Sequence, residues 1–131
     1  MPGYSFEDLE LYKAAREYRK KIFRLIKMLP TCEKYNLESQ MRRAATSLTN
    51  NIAEGHGRYH YQENIQFLRI SRGSLEEILD DLNICLDEQY VPKVEIETLK
   101  AEGFDLLRKI NGYIAYLRSR KATGGQHQLT N

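Results

Sequence analysis

Apolar residues recur along this chain at alternating steps of three and four, in four series separated by short polar breaks. The first series, Leu11, Ala15, Tyr18, Ile22, Leu25 and Leu29, lines one face of a helix opened by Ser5, with Asp8 three places on completing a capping-box pattern. Pro30 ends that helix, because a residue without an N–H and with a clashing ring cannot continue the ladder. The second series is Leu37, Met41, Ala44, Leu48, Ile52 and Gly55, running out near Gly57. The third is Ile65, Leu68, Ser71, Leu75, Leu79, Leu82 and Leu86, stopped before Val91-Pro92. The fourth is Ile96, Leu99, Gly103, Leu106, Ile110, Ile114 and Leu117. No segment alternates with period two over β-branched residues, and the connections are short, about four to seven residues. The spacing therefore predicts an all-α, antiparallel up-down-up-down four-helix bundle, with helices at about 6–29, 37–57, 61–88 and 93–119. Residues 1–121 are expected to form one domain, and residues 122–131, with Gly124-Gly125 and no apolar period, a flexible tail.

Three glycines, Gly73, Gly103 and Gly112, fall inside these helices, where each costs about 1 kcal/mol relative to alanine. Gly103 lies on the core series, so a close helix crossing is expected there. For Gly73 the expectation favours tight packing over backbone access for a partner. Phe23, Ile26, Phe67, Ile70, Phe104 and Leu107 lie beyond the main seams and widen the apolar arc past what one bundle needs, which points to a subunit interface.

Composition narrows the class. Apolar residues make up 41% and charged residues 29% of 131, as in a globular domain large enough to hold a core without metal or disulfide staples. No window reaches the roughly 18 uninterrupted apolar residues of a membrane span, and Met1-Pro2-Gly3-Tyr4 leads straight into acidic residues without a signal-peptide order. A cytoplasmic protein with no membrane partner is expected. Cys32 and Cys85 stand far apart with no C-x-x-C, as free thiols would.

The net charge of +2 conceals a segregation. Residues 13–27 sum to +6, residues 76–105 to −8, and residues 108–121 to +5 with no acid among them. Lys13, Arg16, Lys20, Arg24 and Lys27 step along one side of helix one, a stripe that attracts phosphate. The same stripe also fits a solvated face, or one paired with the acidic third helix inside or between subunits.

Three blocks carry a resemblance: Phe6-Glu7-Asp8-Leu9-Glu10; Gln40-Met41-Arg42-Arg43-Ala44-Ala45 with Ser47 and Asn51-Ile52-Ala53-Glu54-Gly55; and Phe67-Leu68-Arg69-Ile70-Ser71-Arg72-Gly73-Ser74-Leu75-Glu76-Glu77. In order and spacing the chain resembles, over about residues 5–120, the bacterial four-helix bundle proteins known as 23S rRNA intervening-sequence proteins. The resemblance implies a ring-like homopentamer linked to insertions in 23S rRNA genes, and no established enzyme activity. More distantly, the bundle looks like the accessory protein of diversity-generating retroelements, a basic pentamer that binds nucleic acid. Thr49 departs from the pattern, since the family usually has proline there, so a kink in helix two does not carry over.

Arg43, Ser47, Asn51, Glu54 and Arg58 form a polar stripe on helix two, answered by Arg69, Arg72 and Glu76 on helix three. One reading is structural: Glu54 pairs with Arg58 or an arginine of helix three, Asn50 and Asn51 bond across helices or subunits, and Gly55 and Gly73 sit in the same junction. The other treats Arg42, Arg43, Arg58, Arg69 and Arg72 as phosphate contacts, with Asn50 and Asn51 reaching sugars or bases.

Catalytic and metal patterns are not met. No Glu has a His three places on, as a di-iron bundle needs. His56 and His60 stand four apart but flank Gly57 at an expected turn, and read as an exposed corner with no metal. Arg120 and His127 match a helical ribonuclease spacing across Gly124-Gly125, where nothing would hold them for acid–base work. The expectation is a non-enzymatic homo-oligomer without cofactor, binding RNA, DNA or a nucleic-acid-associated protein. The alternative is a protein-interaction scaffold whose charge segregation serves self-assembly.

Overall fold

The computed structural model describes residues 5–124. Four helices form it: α1, Glu10–Ile26; α2, Leu37–His56; α3, Tyr61–Asp87; and α4, Lys93–Gly124. Short 3-10 turns at Phe6–Asp8 and Thr31–Glu33 precede α1 and α2. The chain is an all-α four-helix bundle with no strand among the described residues. Each helix packs on its sequence neighbours, and α1 closes the ring against α4.

Cross-helix contacts fix the directions. Ser71 Oγ donates to Leu48 O at 2.8 Å and Arg43 pairs with Glu77, so α2 and α3 run antiparallel. Lys100 meets Asn83 while Arg72 meets Asn111, which sets α4 antiparallel to α3. The core holds every seam residue of the periodic series except Leu29 and Leu86, which are half-buried against it. Burial of each large side chain contributes about 1.5–3 kcal/mol, so these seams supply the main driving force.

The boundaries differ from the periodicity in instructive ways. Ser5 and Asp8 do form a capping box, but it closes the 3-10 turn at Phe6–Asp8. Leu9 is then extended, at φ −70° and ψ 125°, and α1 begins only at Glu10. At the other end α1 stops at Ile26 rather than 29, and Leu29 packs from the connection. Helix α4 runs on through Gly124, past 119; the rest of the anticipated 122–131 tail lies outside the described residues. At the α3–α4 turn Gln89 takes φ 59°, letting Tyr90 N–H reach Cys85 O at 2.9 Å.

Gly103 is the expected close crossing: a Cβ there would stand 2.5 Å from Tyr18 Oη and 2.7 Å from Leu79 Cδ2. Gly73 corrects the expectation of tight packing, because among the described residues no atom beyond its own helix turns lies within 4 Å of the place a Cβ would take. The wide apolar arc is also narrower than anticipated. Ile26 is fully buried and Phe23, Phe67 and Leu107 are half-buried, leaving only Ile70 and Phe104 of the six exposed. Cys32 and Cys85 are free thiols, the first exposed and the second buried.

Candidate nucleic-acid interface

Helix α1 buries one face, so the residues opposite are turned outward. Lys13, Arg16, Lys20, Arg24 and Lys27 are all exposed. Lys13 and Lys20 make only local pairs, with Glu10 and Glu17 at 3.3 Å one turn away. Arg16, Arg24 and Lys27 form no ion pair among the described residues. The acidic 76–105 stretch runs from α3 into the first turns of α4, which packs on α1; Glu95 and Glu102 share a hollow with Arg24, and no carboxylate of the stretch forms an ion pair with the stripe among the described residues. Its ion pairs to other helices among the described residues are Lys21–Glu102 at 2.6 Å and Arg43–Glu77 at 3.7 Å, neither from the stripe.

Two contacts lock α1 to α2 along the flank of the stripe. Arg19 Nη1 donates to Thr49 Oγ1 at 2.8 Å, and the Arg42 guanidinium lies 5.0 Å from the centre of the Phe23 ring. Thr49 thus holds a helix crossing at the position where proline was expected, and α2 is continuous through it. Beside this seam α2 carries a shallow hollow of about 510 Å³ lined by Ser39, Arg42, Arg43, Thr46, Ser47, Asn50 and Asn51. Its lining contains guanidiniums, amides and hydroxyls and no carboxylate. Asn50 projects into solvent. Asn51 corrects an expectation: its Nδ2 donates to Ser47 O and Oγ in the same helix, at 2.9 and 3.0 Å, rather than across helices. The cross-helix bond comes instead from Ser74 Oγ to Ser47 Oγ, at 2.8 Å.

The ten candidate cations do not form one surface. Arg42 lies against α1 over Phe23 and pairs with Glu38 one turn back, Arg43 reaches Glu77 on α3, Arg72 donates to Asn111 on α4 and Arg69 is exposed on α3. Arg58 belongs to the α2–α3 corner, pairing with Glu54 at 2.7 Å and covering the Phe67 ring. That corner is tight because Gly55 is there. A Cβ at Gly55 would meet Asn64 Oδ1 at 2.7 Å and Phe67 Cβ at 2.9 Å. His56 is buried rather than exposed, and the described residues hold no group of three metal-ligating side chains. His127 lies outside the described residues.

Sequence reasoning passed over three buried polar groups. Thr49 and Asn64 lie in helix interfaces, and Asp81 is 3% exposed on α3. Burial, then Glu77 and Asp80, pushes the Asp81 carboxyl up to about 7, against the opposing pull of Arg43. Glu33, in the loop before α2, accepts from Tyr90 Oη at 2.7 Å and from Leu37 N–H at 3.3 Å. Those bonds hold its carboxyl below the usual range. A carboxylate three residues ahead of Asn36 and a tyrosine after a distant helix gave no local sign of meeting.

The fold and this surface define an antiparallel four-helix bundle protein with a basic α1–α2 side. Residues 7–112 match the 23S rRNA-intervening sequence protein family, and the chain belongs to that family. Among solved structures it is similar to a protein with unknown function from the S23 ribosomal protein family of Bacteroides thetaiotaomicron VPI-5482. The two are 20% identical, with a TM-score of 0.74 over 79% of this chain and 97% of that one, a likeness in fold. No curated protein matches the chain. No helix among the described residues is long and apolar enough to cross a membrane.

Proposed function

We propose that the protein is a non-enzymatic, oligomeric bundle that binds RNA, or a partner itself carried on nucleic acid, through the α1–α2 side. The observation that carries this reading is the exposed Lys13–Arg16–Lys20–Arg24–Lys27 stripe beside a hollow free of carboxylates. Cations of this kind contact phosphates and set affinity, while Asn50 and the hydroxyls of Ser39 and Thr46 suit sugar or base edges. The hollow is lined by guanidiniums, amides and hydroxyls with no carboxylate, imidazole or thiol among them, so its groups suit binding rather than proton transfer. Membership of a family named for 23S rRNA insertions supports RNA as the ligand. Electrophoretic mobility shifts with structured 23S rRNA fragments test the reading. Affinity that falls as salt rises supports it, and no shift even at low salt overturns it.

A second reading is favoured by one feature. Apart from Asp81 and Glu102 the acids of the 76–105 stretch are exposed, and none pairs with the basic stripe of its own chain among the described residues, so they can meet the stripe of another copy. Self-assembly would then use the charge that RNA would otherwise take. Light scattering behind size exclusion decides whether copies associate, and a monomer at low salt contradicts this reading.

A further inference from the structure

The α1–α4 seam opens into a groove of about 620 Å³ beside the first turns of α1. Leu11 and Ala14 form one wall, and Tyr113, Tyr116 and Gly112 the other. Tyr113 and Tyr116 are stacked, their centroids 6.0 Å apart and planes 18° from parallel. Tyr116 is 53% exposed, so it presents ring surface to solvent. Gly112 in α4 is not required by packing, since among the described residues nothing beyond its own helix turns lies within 4 Å of a Cβ placed there. Its effect is to bare the helix backbone beside the rings.

Cations surround this ledge. Lys13 and Lys109 line the groove, and Arg120 hydrogen-bonds to Tyr61 close to Tyr116. Both lysines are held by exposed surface pairs, Lys13 to Glu10 and Lys109 to Asp105, which a phosphate can displace at little cost. Glu10 and Glu17 also line the α1 wall. Carboxylates repel a bare phosphate, yet they accept from the amino groups of a base.

We infer that this groove is a stacking pocket for an unpaired nucleobase of a single-stranded nucleic acid, with Tyr116 as the platform and Lys13 and Lys109 on the flanking phosphates. Stacking on an exposed ring needs a splayed base, because a duplex keeps its faces covered. The inference rests on the nucleic-acid reading above and adds a contact on the opposite flank of α1 from the α2 hollow.

The test is fluorescence titration of the full chain with a short ribo-oligonucleotide containing 2-aminopurine, whose emission is quenched on stacking. Saturable quenching is expected, Tyr116→Ala should weaken it about tenfold, and Tyr116→Phe should keep it. Gly112→Met, which fills the groove from the α4 wall, should weaken binding too, with circular-dichroism melts confirming that each variant folds. A matched deoxy-oligonucleotide separates RNA from DNA as the source, and a blunt duplex should compete poorly. Equal affinity for wild type and Tyr116→Ala overturns the pocket. If neutralising the α1 stripe then abolishes binding, the pocket fails while the RNA reading stands. If no RNA binds at low salt, both fail.

Discussion

Gly103→Ala is a sharp probe of how the helices are held. The added methyl would sit 2.5 Å from Tyr18 Oη, 3.1 Å from Tyr18 Cζ and 2.7 Å from Leu79 Cδ2. Tyr18 is 4% exposed, and its hydroxyl donates to Leu99 O at 2.9 Å, so the ring cannot yield without losing a buried hydrogen bond. Burial, with Glu102 nearby, also keeps that hydroxyl protonated by raising its pKa. Alanine gains about 1 kcal/mol over glycine in a helix. Overpacking costs about 1–3 kcal/mol, and the disturbed hydrogen bond about 1 kcal/mol. The net expectation is a loss of about 2 kcal/mol. Gly73→Ala and Gly112→Ala meet no atom beyond their own helix turns within 4 Å among the described residues, so they keep only the helix gain, about 0.5–1 kcal/mol of added stability. Urea denaturation followed by circular dichroism should place the first variant below wild type and the other two above it. In a Tyr18→Phe background the closest contact is gone, and Gly103→Ala should cost about 1 kcal/mol less. Three alanine variants that move together, or a Gly103→Ala protein as stable as wild type, would refute the reasoning.

Gly55→Ala should be at least as damaging, about 2–4 kcal/mol in the same urea assay, because the methyl meets Phe67 Cβ and the Asn64 backbone oxygen, which cannot rotate away. Asp81 should make stability pH-dependent in an unusual direction. Its folded pKa, about 7, exceeds the ordinary 3.8, so the folded state holds a proton that the unfolded state has released. That contribution is full below about pH 4 and is lost as pH rises through 7. Asp81→Asn should therefore gain on wild type between thermal melts at pH 5 and pH 8, and a constant difference between the two proteins would exclude the assignment.

The seams were legible because a core-facing helix must repeat its apolar residues at 3.6, and Leu48, Leu75, Ile96 and Ile110 obey that rule with nearly complete burial. Gly103 was legible for the same reason, being a glycine on a core position. Gly73 was not, since an exposed and a crowded glycine look alike in a sequence. The Glu54–Arg58 pair followed from i,i+4 spacing, whereas Asp81 and Glu33 depend on which helices become neighbours. The α1 stripe could be read from spacing. What spacing could not give was which side chains the α4 carboxylates would reach: Glu102 takes Lys21, and the five stripe residues pair with no acid of the 76–105 stretch among the described residues, which leaves them open to a partner.

The salt dependence of RNA binding tests the central claim most directly. Wild type and a triple variant, Arg16→Gln, Lys20→Gln and Lys27→Gln, would be titrated against one single-stranded rRNA segment at several salt concentrations. All three residues are exposed, so folding should be unaffected. Each lost phosphate contact lowers the slope of log K against log salt by about 0.7, so the variant's slope should be shallower by about 2. The same slope in both proteins, or no binding by wild type at low salt, would contradict the assignment of the α1–α2 side as the RNA-binding surface.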